Sequence, residues 1–75
     1  MIKVVDLNMT CFACPSQWEG MTEEGFYVYI RYRWGYLSVS VGREDVYGKR
    51  IGDSYDGVLD DEGMKFALRD IMEFE

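Results

Sequence analysis

The sequence predicts an α+β fold: a small antiparallel β-sheet of four to five strands, arranged as a meander, with one C-terminal α-helix packed on one face. Three observations predict it. Apolar and polar residues alternate strictly along Phe26 to Val41, FYVYIRYRWGYLSVSV, which is the period of a half-buried strand. Turn signals, Glu23-Glu24-Gly25 and Trp34-Gly35, interrupt the alternating segments. Near the C-terminus, Met64, Ala67, Leu68, Ile71 and Met72 recur at helical spacing.

From the N-terminus, Val5, Leu7, Met9 and Cys11 alternate with Asp6, Asn8 and Thr10, predicting a first strand with the odd positions inward. Val4-Val5 interrupts the alternation and suggests a bulge or the strand start. Pro15 disfavours helical backbone at Cys14 and ends the strand.

Side-chain parity sets the pairing of the next three segments. A three-residue loop at Glu23-Glu24-Gly25, with Gly25 left-handed, pairs Ser16–Thr22 with the strand starting at Phe26 and sets Trp18 against Ile30. A two-residue loop would instead put Glu19 in the core, which is costly without a partner. A two-residue turn at Trp34-Gly35, or a four-residue loop of the same parity, sets Tyr32 against Leu37, Ile30 against Val39 and Val28 against Val41. A one-residue slip would mix the faces. One face then carries Trp18, Phe26, Val28, Ile30, Tyr32, Leu37, Val39 and Val41. The other carries Gln17, Glu19, Tyr27, Tyr29, Arg31, Arg33, Tyr36, Ser38 and Ser40.

Residues 42–58 read as loop-rich, with a short hairpin or an edge strand over Asp45 to Ile51. Asp60 has the character of an N-cap, and Asp61 and Glu62 suit the first turn of a helix. The helix is expected from about Asp61 to Glu73, lying across the apolar face and leaving the Tyr/Arg face open.

Seventy-five residues make a single domain. A chain this short buries only about 60% of its unfolded surface. Its 16% aromatic content compensates, because each ring buries a large area. A net charge of -6 argues against duplex nucleic acid as a partner, since phosphate binding requires cationic neutralisation. No apolar run approaches the roughly 20 residues of a membrane span, and the start lacks the apolar core of a signal peptide. Together these point to a cytoplasmic protein.

The run from Cys14 to Gly42 resembles a group of small uncharacterised proteins from bacterial and phage genomes. The shared features are Cys14-Pro15, Glu19-Gly20, the Tyr29 to Trp34 strand, and Gly52-Asp53 with Asp56-Gly57-Val58 ahead of a helix. The group carries no established activity. What the resemblance implies is a similar fold and, in a phage setting, a small inhibitor of a host system.

Catalytic and metal chemistry find little support in the residues. Cys11 and Cys14 form a C-x-x-C, but the chain has no His and no third Cys, so a tetrahedral zinc site would need a second chain or carboxylates. A redox role would require the motif at a helix N-terminus. Asp53, Asp56, Asp60, Asp61 and Glu62 do not fit a calcium loop, because Gly57 at its sixth position puts glycines where acids are required. Without His the commonest general base is absent. The expectation is therefore a non-enzymatic protein with no cofactor and no metal.

The open sheet face is the candidate site. Tyr27, Tyr29, Arg31, Arg33 and Tyr36, with Glu19 beside them, combine the residue types enriched in binding hot spots. The expected partner is a protein. Homodimerisation through this face or a sheet edge is a second outcome. A nucleotide or other small anionic ligand, with Arg31 and Arg33 on phosphate and tyrosines on the base, is the alternative, and a metal- or thiol-dependent protein using Cys11 and Cys14 ranks last.

Overall fold

The computed structural model describes residues 1–13, 15–52 and 57–75. Six strands and one helix follow in the order β1 (Ile2–Cys11), β2 (Ser16–Thr22), β3 (Tyr27–Arg33), β4 (Tyr36–Val41), β5 (Glu44–Arg50), α1 (Asp61–Ala67) and β6 (Met72–Phe74). They form one sheet, ordered β5-β4-β3-β2-β1-β6, curled into a half-barrel. The predicted α+β sheet of four to five strands is thus corrected to a six-stranded half-barrel. Among the described residues strand makes up 57% and helix only 10%, so β structure dominates.

The central register follows from parity. Trp18 pairs with Ile30 and Glu19 with Tyr29, while Ile30 pairs with Val39 and Arg33 with Tyr36. The β3–β4 turn has two residues, with Trp34 at φ 52° and Gly35 at φ 79°. Positive φ at both central positions is the backbone of a type I′ hairpin. The β2–β3 loop has three residues, closed by the Thr22 amide donating to the Phe26 carbonyl at 2.8 Å, with Gly25 at φ 93°. The Asp45–Ile51 segment resolves into an edge strand, β5, paired along β4.

Bulges bend this sheet. In β1, Asp6 and Leu7 together oppose Gly20 of β2, and Asp6 adopts φ 53°. A Cβ at Gly20 would lie 2.9 Å from the Asp6 carbonyl oxygen, so the bulge presses onto a position only glycine can occupy. Thr10 is the extra residue of a second shift, and Val46 of one in β5. Such insertions bend a strand and increase its twist.

The inner face holds the core. Val4, Trp18, Val28, Ile30, Tyr32, Leu37 and Val39 are buried with Met64, Leu68 and Met72. Each large apolar side chain buried this way contributes about 1.5–3 kcal/mol. Two predicted inward sets are corrected. In β1 it is Val4 rather than Val5 that is buried, because the bulge at Asp6 and Leu7 changes the parity; Leu7 packs against the core, and Met9 shares the inner face with its partner Trp18 yet stays exposed. Phe26 is 55% exposed, since it stands at the end of the half-barrel beside Ile2 and Val41, outside the buried cluster.

The helix also differs from expectation. It runs from Asp61 to Ala67 rather than to Glu73, and residues 72–74 form β6, parallel to β1. The Asp60 carboxylate caps it, accepting from the Gly63 amide at 2.7 Å. The apolar stripe still enters the core through Met64, Leu68 and Met72. The outer edge of β1 explains the early stop. Its backbone groups need partners, and the C-terminal segment supplies them: Ile2 N–H donates to the Ile71 carbonyl at 3.0 Å and Glu75 N–H to the Val4 carbonyl at 3.1 Å. Edge pairing here outweighs the weak intrinsic preference for another helical turn.

Two buried polar contacts fix the C-terminal part on the sheet. The Trp18 indole N–H donates to Asp61 Oδ1 at 2.7 Å. The fully buried Ser16 hydroxyl donates to the Phe12 carbonyl at 2.6 Å and accepts from the Leu59 amide at 3.1 Å. No helix among the described residues is long and apolar enough to cross a membrane.

Candidate functional site on the outer sheet face

The outer face is built from cross-strand rows. One row runs Arg33, Tyr36, Arg50; the next Gln17, Arg31, Ser38, Gly48; the next Glu19, Tyr29, Ser40, Asp45. The last carries Met21 and Tyr27. All six residues predicted for the site, Tyr27, Tyr29, Arg31, Arg33, Tyr36 and Glu19, share this face.

They do not converge on one point, however. At one end the Tyr27 hydroxyl donates to Glu19 Oε1 at 2.6 Å, a diagonal pair across β2 and β3. The neighbouring carboxylate disfavours the phenolate, and the Tyr27 pKa is raised to about 12, chiefly through this hydrogen bond. Met21 and Tyr27 stand exposed beside them. Tyr29 is half-buried midway along β3. The Ser40 hydroxyl donates to Asp45 at 2.7 Å.

At the other end, around the Trp34-Gly35 turn, Arg31, Arg33, Trp34, Tyr36 and Ser38 line an open hollow. The Arg33 guanidinium lies 5.7 Å from the centroid of the Trp34 ring, within cation–π range. Arg50 donates to the Trp34 carbonyl at 2.8 Å. The Tyr36 phenol lies over Gly48 of β5, where a Cβ would overlap it. Tyr36 therefore leans toward β5 and leaves the space above Arg31 and Arg33 open.

Among the described residues the basic end carries no ion-paired carboxylate. The chain has 14 acidic and 8 basic residues, yet among the described residues no carboxylate forms a salt bridge with Arg31, Arg33 or Arg50. The ion pair seen there is Lys3 with Glu75 at 3.4 Å, on the far edge of the sheet. The Arg31 Nε is buried with no hydrogen-bond partner. A desolvated cationic donor without an acceptor is costly.

Trp34, Ser38 and Arg50 are the residues that sequence reading missed. Ser38 was legible as a member of the face. Trp34 reads as a turn residue, and its placement follows only from the turn type. Arg50 joins through the β4–β5 register, which the bulge at Val46 hides from parity arguments.

Of the C-x-x-C pair, Cys11 ends β1 half-buried, with its thiol 3.6 Å from the Ala13 carbonyl. Cys14 lies outside the described residues, as do Asp53 and Asp56 of the acidic run. Among the described residues, no three Cys, Asp or Glu side chains gather to hold a metal ion.

No family model matches the chain, and searches of curated proteins and solved structures return no match.

Proposed function

We propose that this chain is a non-enzymatic binding module that takes a protein partner on the outer sheet face. A small inhibitor or a regulatory adaptor is the role that fits such a module. One observation carries the reading. The helix, with Leu59 ahead of it, packs on the inner face, while on the outer face Tyr27, Arg33 and Tyr36 are exposed and Tyr29 and Arg31 partly exposed, with no described element laid over them. Tyr and Arg combine contact area with directional donors, which is why they dominate binding hot spots. The acidic remainder of the molecule would steer association with a partner of opposite charge.

Affinity capture with a doubly substituted chain tests this. Arg31→Ala with Tyr29→Ala leaves the inner-face core untouched, so the double variant should keep the wild-type circular dichroism spectrum. It should lose any partner that the wild type captures. Retention of that partner by the folded variant would reject the outer face as the binding surface.

A further inference from the structure

We propose that the end of the outer face beside the Trp34-Gly35 turn is an oxyanion subsite for a phosphate monoester, held by Arg31, Arg33 and Ser38. This rests on the reading of the outer face as a binding surface and assigns chemistry to one end of it.

The argument begins with the Arg31 Nε, the one side-chain nitrogen or oxygen among the described residues that is buried without a partner. Buried polar groups in folded proteins are hydrogen-bonded as a rule, so an orphan donor points to an acceptor that comes from outside. The acceptor has to be anionic to match a guanidinium. Arg33 stands two residues along the same strand on the same face, and Ser38 sits directly across from Arg31 on β4. These three line one hollow with Trp34 and Tyr36.

The number of donors then separates the anions. Each guanidinium carries five N–H groups, and the Ser38 hydroxyl, which in the free chain makes a long 3.5 Å bond to the Arg31 carbonyl, adds one by turning to the ligand, whereas a carboxylate offers only two oxygens. A phosphate monoester presents three oxygens and a double charge, and planar guanidinium forks suit it. The exposed Trp34 ring at the rim would meet an aromatic group attached to that phosphate. Gly48 contributes by absence. It lets the Tyr36 ring lie over β5, where it walls the hollow without filling it.

The test is a titration followed by nitrogen–proton correlation spectra that include the arginine Nε–H signals. Phenyl phosphate and inorganic phosphate are the probes, with acetate as the carboxylate control. Saturable shifts are expected at Arg31 Nε–H and at the Ser38 amide with both phosphates, and none with acetate. Tighter binding of phenyl phosphate would assign the site to aryl esters; equal binding would assign it to the phosphate group alone. Both support the subsite.

Arg31→Lys keeps the charge but removes the Nε–H fork, and should weaken phosphate binding at least about tenfold. Gly48→Ala leaves every charge in place, pushes the Tyr36 ring off β5, and should also weaken it. Unsaturable shifts spread over Lys3, Lys49 and Lys65, wild-type affinity in Arg31→Lys, or an equal response to acetate would each overturn the proposal. If Arg31→Lys fails to fold, Ser38→Ala replaces it. A chain that captures a protein partner on this face yet ignores phosphate rejects the subsite alone. Phosphate binding that survives when partner capture does not involve the face rejects only the broader reading.

Discussion

Trp18 and Asp61, forty-three positions apart, are joined by a 2.7 Å hydrogen bond from the indole N–H to the carboxylate. Trp18 is fully buried on β2, and Asp61 opens the helix at the protein surface. The contact seats the helix at a defined point on the sheet. Trp18→Phe should destabilise the chain by about 1–3 kcal/mol, combining the lost hydrogen bond with the smaller ring. Asp61→Ala leaves the buried N–H without its acceptor and should cost about 1–3 kcal/mol as well. Urea denaturation of both variants and of their combination checks this. The two effects should be less than additive, because they share one interaction.

Ser16→Ala tests the second anchor. The hydroxyl bridges the Phe12 carbonyl and the Leu59 amide in a buried position. Its removal orphans both backbone groups, and a loss of about 1–3 kcal/mol is expected. Amide exchange at Leu59 should accelerate by more than the global change, since that segment loses its tie to β2.

The pKa of Tyr27, raised to about 12 from the usual 10 by the Glu19 carboxylate, has a definite sign in the pH dependence. A folded pKa above the unfolded value means the pair contributes stability that is complete below about pH 10. That contribution is lost as pH rises through about 12. Ultraviolet titration of the phenols should include the late ionisation of Tyr27. Glu19→Gln should bring it back toward the ordinary range; an unchanged titration would contradict the pairing.

Trp34 occupies left-handed backbone at φ 52°, a region that costs a non-glycine residue about 1–2 kcal/mol. Trp34→Asn should stabilise the hairpin by up to about 1 kcal/mol, because Asn tolerates that conformation. Strain at a residue that also lines a candidate site is the pattern of a position kept for contact. The same variant should weaken ligand binding at the hollow while raising the melting temperature.

Phe26→Ala and Ile30→Ala form a contrast. Phe26 is 55% exposed and Ile30 is fully buried. Ile30→Ala should cost about 2–5 kcal/mol. Phe26→Ala should cost well under half as much, measured by the same denaturant midpoint.

These contrasts mark where the sequence was readable. Between Ser16 and Val41, strict alternation and two short turns leave a single register that separates Ile30 and Val39 from Arg31 and Ser38. There parity alone was enough, and with it the composition of the candidate face. It failed wherever a residue is inserted. The bulge at Asp6 and Leu7 shifts β1, so Val4 rather than Val5 is buried. Val46 does the same in β5, concealing Arg50 from the site. Phe26 obeys parity and is still exposed, because alternation says which way a side chain points but not whether anything covers it. Ile71 and Met72 fit a helical stripe equally well whether the helix continues or stops, and a distant strand edge made the difference. The groove at the Trp34 turn needed turn geometry, neighbouring strands and the tilt of Tyr36 together, none of which a linear pattern encodes.

The parallel β1–β6 pair, with Ile2 beside Met72 and Val4 beside Phe74, has a kinetic consequence. The hairpins from Ser16 to Arg50 close through short loops and can form early, whereas joining β6 to β1 requires nearly the whole chain to be looped first. That seam should zip last and open first, leaving the Tyr/Arg face assembled while the far border of the sheet breathes.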